Sequence, residues 1–287
     1  GIGVAGYYTK GMNIQFELIV AMMVMLYTGV GDDILDLSPT TRFALQIFTV
    51  CMMMFLCGIY IDNFHGLWGV YKLPLGVAIA LTLVSCVGII NSINLIDGVD
   101  GLCSGYGMFA SLLYGICFLR MGDVSYAVLA FSLFGSLIPF LGDGGSLVLG
   151  FICSLYVMRV IQSGSDYITG STISFTLAVL AIPVFDTLRV MTARMAKHRS
   201  PFSPDKTHLH HMFIKLGCSH VMTTVNILIL NGLVVVAWHF CNTFDLSAEA
   251  QLYVTAATAI VLTWGLYYGV DYIERRHPEF YGRMQAW

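Results

Sequence analysis

Three acidic residues lie close together where one apolar stretch of the sequence ends. Asp32, Asp33 and Asp36 belong to the segment G-D-D-I-L-D. On a helix, Asp32 and Asp36 share one face, where two like charges four residues apart repel each other. Carboxylates at the C-terminal end of a helix also oppose its dipole. Three acids in this unfavourable place indicate a bound cation or a catalytic task rather than a merely solvated helix end.

Oxygen-bearing side chains recur every three residues in the segment N-S-I-N-L-I-D-G-V-D-G. Asn91, Asn94, Asp97 and Asp100 are helical neighbours until Gly98 loosens the backbone. A helix stop rich in Asn and Asp, followed by glycine turns, also explains the pattern. However, the four side chains converge where an apolar stretch ends, and oxygen-only ligands suit Mg²⁺, which keeps waters and substrate phosphates in its shell. We therefore predict a site for Mg²⁺, with Mn²⁺ as the alternative ion.

A third motif, G-D-G-G-S, places Asp143 directly before two glycines and Ser146. The simplest interpretation is a helix N-cap, for which Asp is favoured, next to a turn that glycine permits. The same geometry binds phosphate, because the N-terminus of a helix presents free N–H groups. A carboxylate beside that phosphate would also be placed to hold a metal ion, so both interpretations of Asp143 stay open.

Histidines and basic residues form a fourth motif. The segment H-L-H-H contains His208, His210 and His211, and four basic residues lie between positions 194 and 206. No cysteine and no H-E-x-x-H helix is near enough to complete a zinc site. We therefore favour an anion-binding loop, while a basic segment that touches acidic lipid headgroups remains the alternative.

Slightly upstream, Asp186 and Arg189 are three residues apart, and this spacing predicts a local ion pair.

The composition identifies what must hold these motifs in place. Of the 287 residues, 57% are hydrophobic and 11% are charged, whereas soluble domains carry about 25% charged residues. The mean hydropathy is +0.78, so the surplus apolar surface must face lipid, and a soluble enzyme, a coiled coil and a disordered chain are excluded. The net charge of −3 argues against a nucleic-acid partner.

Apolar stretches of about 20 residues, the length of a membrane crossing, recur along the whole chain. They lie near residues 13–31, 42–61, 74–92, 102–119, 124–141, 145–162, 172–188, 222–242 and 250–270, and residues 1–8 resemble part of one more. The sequence therefore predicts an all-α fold: a polytopic integral membrane bundle of about ten transmembrane helices with cytoplasmic catalytic loops. Residues 1–287 are expected to form a single domain.

The basic residues predict an orientation for this bundle. If residues 189–206 are cytoplasmic and the spans alternate, ten of the fourteen Lys and Arg residues fall on the inner side. Every polar motif described above then lies on the cytoplasmic side, whereas an ion relay would distribute charges through the depth of the bilayer. We expect Asp32, Asn94 and Asp143 to lie within about 10–12 Å of one another, in a cleft that opens sideways to lipid.

Taken together, these motifs resemble a known family, the polyprenyl-phosphate N-acetylhexosamine-1-phosphate transferases. They occur in the order of that family between residue 31 and residue 211: G-D-D-I-L-D-L-S-P, N-S-I-N-L-I-D-G-V-D-G-L, L-G-D-G-G-S-L, P-V-F-D-T-L-R-V and S-P-F-S-P-D-K-T-H-L-H-H. The H-L-H-H form is most similar to the bacterial branch that uses undecaprenyl phosphate and N-acetylglucosamine. Residues 62–74 are similar to an outer hairpin of some members.

The resemblance implies an activity and a role for each motif. Members transfer a sugar 1-phosphate from a UDP-sugar to a polyprenyl phosphate in the bacterial inner membrane, release UMP on the cytoplasmic side and need Mg²⁺. The product starts a lipid-linked cell-surface glycan. By motif, Asn94 and Asp143 would hold the metal, and Asp32, Asp33 and Asp143 would be catalytic. The implied substrate-binding residues are Asn91, Asp97, Asp100, Arg194, His208, His210 and His211.

Several questions stay open after this comparison of motifs. A Mg²⁺-dependent membrane prenyltransferase also places Asp-rich motifs at helix ends, and a transporter is a third, less favoured class. A homodimer is neither required nor excluded. The family normally has a complete span before the residues that match 1–8 and polar residues before the G-D motif, where Phe140 and Leu141 stand here. We therefore expect that an N-terminal span and some loops are absent from this sequence.

Overall fold

The computed structural model describes residues 16–137, 145–164, 171–201 and 207–285, which contain helices, turns and one isolated antiparallel bridge. This confirms the all-α prediction for the described part of the chain. The helices are α1 (Phe16–Leu35), α2 (Pro39–Cys57), α3 (Leu75–Leu95), α4 (Leu102–Arg120), α5 (Val124–Ser136), α6 (Gly145–Ser163), α7 (Thr172–Val179), α8 (Ala181–Ala196), α9 (Leu209–Lys215), α10 (His220–Thr243), α11 (Ala248–Ile260), α12 (Leu266–Arg276) and α13 (Pro278–Gln285). A π-helical turn, Val261–Gly265, joins α11 to α12.

Seven helical segments in the described ranges are long and apolar enough to cross a membrane. They are α1, α2, α3, α4, α6, α10 and the continuous segment Ala248–Arg276. The pair α7 and α8 makes an eighth if it counts as one broken span, whereas α5 has only 13 residues. The chain is therefore a multi-pass membrane protein, and the expected count of about ten spans is not confirmed. Residues 1–8 and the junction at Phe140 lie outside the described residues.

Helix α6 is the most buried span and the centre of the bundle. Of its most apolar window, 78% is buried inside the protein, and α1 and α3 both pack against it. Gly150 allows a very close approach, because a Cβ atom at this position would lie 2.8 Å from Cα of Ile90 on α3. Small residues allow this kind of backbone contact between membrane helices. The two helices are antiparallel, so Asn94, one turn after Ile90 on α3, faces Ser146, one turn before Gly150 on α6.

The span formed by α7 and α8 is broken by 76° at Leu180. Pro183 gives one reason, because it has no N–H to donate to Val179, the residue four positions earlier. The freed carbonyl of Val179 instead accepts a hydrogen bond of 2.6 Å from the hydroxyl of Tyr106 on α4. Unpaired backbone groups are costly inside a bilayer, so the break requires such partners from neighbouring helices.

Asn231 of α10 supplies the other partners at the break. Its Oδ1 accepts from the backbone N–H of Ile182 at 2.9 Å, and its Nδ2 donates to the carbonyls of Ala178 and Val179 at 3.2 and 2.9 Å. The side-chain amide thus takes the place of the helical bond between Ile182 and Ala178. Asn231 is completely buried, and its contacts fix the direction in which α8 continues.

The two ends of the bundle differ in character. The end of α1, the start of α2 and the end of α3 lie at one end, named the site end here because it carries the acidic motifs. The opposite end carries the hairpin of residues 58–74, in which Asn63 and Lys72 form the antiparallel bridge. This confirms the hairpin predicted for residues 62–74. Helix α2 reaches it from Ser38, whose side chain caps the helix, and ends at Gly58 with a φ of +67°.

We predict that Asn231→Ala lowers the stability of the protein by about 3 kcal/mol, because it leaves buried backbone donors and acceptors unpaired. The measurement is the midpoint of thermal unfolding of the detergent-solubilised protein. Asn226→Ala is the matched control on the same helix, since the Asn226 amide makes only a 4.0 Å contact to the sulfur of Cys218. Equal midpoints for the two variants would show that the break does not depend on Asn231.

Candidate active site

Asp32 lies at the end of α1 and is paired with a base from the next helix. The Nη1 atom of Arg42 on α2 donates to Oδ2 of Asp32 at 2.9 Å. The chain turns between them at Asp36, which has a φ of +49°. Oδ1 of Asp32 is buried without a hydrogen-bond partner among the described residues, and Asp33 is exposed. The pair therefore presents a cation and one unused carboxylate oxygen at the site end.

Gln46 connects the same helix to the asparagine motif on α3. It lies one turn after Arg42 on α2, is fully buried, and exchanges hydrogen bonds with Asn91 in both directions: Asn91 Nδ2 to Gln46 Oε1 at 2.8 Å and Gln46 Nε2 to Asn91 Oδ1 at 3.4 Å. Asn91 also donates to the carbonyl of Val87. Asn91, predicted to bind substrate, therefore uses its amide to hold α3 against α2.

Asn94 joins α3 to the beginning of α6. Its Nδ2 donates to Oγ of Ser146 at 2.8 Å, while its Oδ1 takes part in no hydrogen bond among the described residues. Ser146 belongs to the same G-D-G-G-S motif as Asp143, which itself lies outside the described residues. The expected distances from Asp143 to Asp32 and Asn94 therefore stay predictions.

The residues around Asn94 fit a magnesium ion. One amide oxygen is left over at Asn94, and the described residues contain no cluster of three or more His, Cys, Asp and Glu side chains with metal-ligand geometry. An amide oxygen is a ligand that Mg²⁺ accepts, since this ion takes one or two protein oxygens and fills its shell with water and substrate phosphates. A zinc site would need more nitrogen or sulfur ligands.

The loop after α3 carries Asp97 and Asp100 and packs against the histidine segment. A Cβ atom on Gly98 would lie 2.7 Å from Nε2 of His210, so any other residue here would force the imidazole ring to shift. Asp97 is half-buried, while Asp100 is exposed and its Oδ2 lies 2.9 Å from Nδ1 of His220 at the start of α10. The loop is therefore held between α9 and α10, and both carboxylates stay at the site end.

Asp186 of α8 is a buried carboxylate with several partners. Its Oδ1 accepts from Nε and Nη2 of Arg189 at 3.1 and 2.6 Å, which confirms the ion pair predicted from their spacing. Its Oδ2 lies 2.9 Å from Nδ1 of His208 and accepts from the backbone N–H of Leu209 at 3.1 Å. The pair is thus more than local, because it holds the beginning of the histidine segment on α8.

Arg189 extends this network in two further directions. Its Nη2 also donates to the carbonyl of Thr207, and its guanidinium carbon lies 3.8 Å from the centre of the Tyr267 ring on α12. Only 1% of Arg189 is exposed, so its charge depends on these partners. The network therefore ties α8, the histidine segment and α12 together at the site end.

The three histidines of the segment differ in exposure. His208 and His210 are buried with their rings parallel and 5.7 Å apart, whereas His211 is half-exposed with its ring 4.2 Å from that of His210. Burial lowers the pKa of His210 to about 4, with smaller contributions from the charges of His211 and His208. His210 is therefore neutral near pH 7, and His211 is the histidine best placed to meet a ligand.

Arg194 lies at the C-terminal end of α8 and is largely buried. Its Nη1 donates to the carbonyl of Pro201. Arg194 is a predicted substrate-binding residue, and in the structure it fastens the chain that follows α8 at Pro201. Arg42, Gln46 and His220 were missed by the sequence analysis. The only signal for Arg42 was its place soon after the acidic motif, where a short turn brings it back to Asp32.

An apolar cavity of about 900 Å³ begins beside this network. At the site end its lining includes Asn91, Ser92 and Thr187, the residue next to Asp186. From there it continues along α3 between aliphatic side chains and reaches the hairpin at the opposite end. The apolar cavity therefore extends from the hairpin to Asn91, one helical turn before Asn94.

We predict that acid loosens the histidine segment. Since the pKa of His210 is lowered, its contribution to stability is complete above about pH 6.5 and is lost as the pH falls towards about 4, on the order of 3 kcal/mol in total. Hydrogen exchange of the α9 amides, corrected for intrinsic rates, should become faster as the pH falls across this window.

Two variants test the assignment to His210. His210→Gln should remove the pH dependence of α9 exchange. His239→Gln, which replaces an exposed histidine at the far end of α10, should retain it. Unchanged α9 exchange from pH 6.5 to 4 contradicts a neutral buried His210.

Comparisons with known proteins agree on one kind of protein. An "Undecaprenyl-phosphate alpha-N-acetylglucosaminyl 1-phosphate transferase" of Yersinia pestis is 29% identical over 234 residues, and that of Escherichia coli (strain K12) is 27% identical over 231 residues. A "Probable undecaprenyl-phosphate N-acetylglucosaminyl 1-phosphate transferase" of Bacillus subtilis is 29% identical over 242 residues.

These similarities cover most of this chain and less of each relative. They include 76%, 75% and 80% of this chain, respectively, but 63%, 61% and 66% of the relatives. The chain thus spans less than two thirds of the length of each of these three relatives. A family model, described as "Glycosyl transferase family 4", matches residues 16–161, just over half of the chain and the part that contains the Asp32, Asn94 and Ser146 motifs. The chain belongs to glycosyl transferase family 4.

Proposed function

We propose that the protein transfers a sugar 1-phosphate from a UDP-sugar to undecaprenyl phosphate, with N-acetylglucosamine 1-phosphate as the preferred group. The reaction releases UMP and starts a lipid-linked cell-surface glycan. We place the protein in the bacterial inner membrane with the site end facing the cytoplasm, where the soluble nucleotide sugar is found. The names of the relatives support the acceptor and the sugar.

The observation that carries this proposal is that the apolar cavity reaches Asn91, beside the polar site end. A lipid phosphate needs both environments, since its tail belongs in an apolar passage and its charged headgroup belongs among cations and metal. Asn91 lines the cavity and lies one turn before Asn94, so the cavity begins directly beside the proposed metal site. A soluble donor and a membrane acceptor can therefore meet at this end.

The chemistry required here is mostly positioning and neutralisation of charge. Donor and acceptor are both anions that repel each other. In phosphoryl transfer the protein mainly positions the reactants and neutralises their charge, and it needs no covalent bond to them. Arg42 is a cation beside Asp32, and the buried Arg189 holds the start of the histidine segment close to the site through Asp186 and the carbonyl of Thr207. A tail held in the cavity fixes the acceptor phosphate, which makes attack on the donor effectively intramolecular.

We favour direct attack by the lipid phosphate over a phospho-enzyme. The second pKa of a phosphate monoester is near 6, so at neutral pH the acceptor is already mostly a dianion. A strong base is then unnecessary, and Asp32, held by Arg42, would orient the acceptor or take a residual proton through its unpaired Oδ1. Asp33, exposed beside it, would complete the catalytic pair.

Asn94, through its free Oδ1, and Asp143 would hold Mg²⁺, with Mn²⁺ as a substitute. When bound, the ion would accept the charge that develops on the leaving UMP. Asp97, Asp100 and His211 surround the same end and would hold the nucleotide and the diphosphate. His208 and His210, whose side chains are buried, would hold the histidine segment in position.

One assay separates this proposal from the other classes of membrane protein. The protein is incubated with Mg²⁺ and a panel of UDP-sugars, with and without undecaprenyl phosphate, and released UMP is measured. We expect release only when the lipid phosphate is present, and fastest release from UDP-N-acetylglucosamine. A prenyltransferase or a transporter would release no UMP under these conditions.

We predict that two conservative substitutions separate metal binding from acceptor positioning. Asp143→Asn keeps the size of the side chain and removes a charge from the metal site, so turnover should fall about a hundred-fold or more. Asp32→Asn should lower turnover by roughly ten-fold while binding of the UDP-sugar is retained, because its partner is the lipid phosphate and a dianionic acceptor needs little base catalysis. UMP release and UDP-sugar binding are measured with and without Mg²⁺.

Asp245→Asn is the matched control for both substitutions. Asp245 is exposed at the hairpin end, and its φ of +50° suits Asn as well as Asp. It should leave turnover unchanged. If Asp143→Asn keeps near-normal Mg²⁺-dependent turnover, the metal assignment is wrong and Asp143 is only a helix cap.

A further inference from the structure

The apolar cavity ends at the hairpin of residues 58–74. Ile61, Phe64, Leu67 and Trp68 of this hairpin all line it, together with Leu252 from α11. On α3, the lining extends from Ser92 near the site end to Leu81, a rise of about 16 Å. The cavity is therefore a passage with the site at one end and a wall of hairpin side chains at the other.

The hairpin is fastened on both sides of this passage. On one side the ring of His65 hydrogen-bonds the carbonyl of Ile161 on α6 at 2.6 Å, and Nε2 of Gln162 donates to the carbonyl of Gly58 at 2.7 Å. The N–H of Ile61 donates to Oγ1 of Thr82 on α3 at 3.0 Å. These bonds come from two different helices, so the hairpin is a fixed part of the wall.

On the other side, Trp68 is bound to α11 by both of its N–H groups. Its backbone N–H donates to Oε1 of Glu249 at 3.0 Å, and its indole Nε1 donates to the hydroxyl of Tyr253 at 2.9 Å. Trp68 also has a φ of +54°, a conformation that is unfavourable for a bulky side chain. Such strain persists only where the surroundings over-determine it, and here the two bonds direct the indole to the end of the cavity.

We propose that this hairpin is the end wall for the prenyl tail of the lipid acceptor, and that Trp68 determines how acceptors of different tail length are ranked. This inference rests on the proposed function and adds a determinant of acceptor length to it. A short tail lies in the passage without reaching the wall. A long tail packs against Trp68 and then leaves sideways into the bilayer.

The expected size of the effect follows from the environment of the tail. Lipid is as apolar as the cavity wall, so a tail that moves from the bilayer into the cavity gains little hydrophobic free energy. The gain comes from close packing against a fixed surface, in which each pair of atoms contributes only a small amount. We therefore expect a change of a few-fold in KM for long acceptors and none in the chemistry at the site end.

The experiment measures kcat and KM with farnesyl, heptaprenyl and undecaprenyl phosphate as acceptors in the same detergent. Trp68→Ala should raise the KM for undecaprenyl phosphate by about three-fold or more, since it removes the indole from the wall. The KM values for farnesyl phosphate and for the UDP-sugar should stay unchanged. Tyr253→Phe keeps the volume of the ring, removes the partner of the indole and should give a smaller change in the same direction.

Tyr71→Ala is the matched control, because Tyr71 is an exposed aromatic of the same hairpin that is not among the cavity-lining residues. It should leave the ranking of acceptors as in the wild type. The inference is overturned if Trp68→Ala and Tyr253→Phe both leave the ratio of KM values for short and long acceptors unchanged. It is also overturned if Trp68→Ala affects all acceptors equally. Failure of the wild type to use any polyprenyl phosphate would instead reject the proposed function itself.

Discussion

The buried carboxylate of Asp186 is the interaction on which the arrangement of the site end depends. A carboxylate and a guanidinium are costly to remove from water unless nearly all of their hydrogen-bonding groups are satisfied. Here Arg189, His208 and the N–H of Leu209 share the two carboxylate oxygens. Arg189 lies on α8 with Asp186, whereas His208 and Leu209 belong to the histidine segment. Loss of the carboxylate would therefore leave a buried cation and release the histidine segment together.

Asp186 reaches this position only because the span that carries it is broken. The missing N–H of Pro183 and the inserted amide of Asn231 turn α8 by 76° relative to α7. A straight helix would continue along the direction of α7, away from the loop after α3. A neutral amide in the middle of the membrane therefore directs the placement of charges at its surface, although it takes no part in the chemistry.

The sequence was sufficient to predict the elements but not the contacts between them. Hydropathy predicted the helices, the family resemblance predicted the hairpin, and the spacing of Asp186 and Arg189 predicted their ion pair. Arg42, Gln46 and Asn231 were not identified, because a single polar residue in an apolar stretch has the same pattern whether it faces lipid headgroups, a neighbouring helix or a ligand. Their partners are 10, 45 and about 50 residues away, and sequence periodicity carries no information over such separations. The break at Leu180 did have a signal in Pro183, but the apolar run continues through it.

The contact between Gly98 and His210 couples two motifs that are more than a hundred residues apart in the chain. The imidazole ring occupies the space in which any side chain at position 98 would stand. A side chain at position 98 would therefore require the ring of His210 to move, and with it the part of the histidine segment that the ring anchors. The volume of one methyl group is thus enough to transmit a change in the loop after α3 to α9.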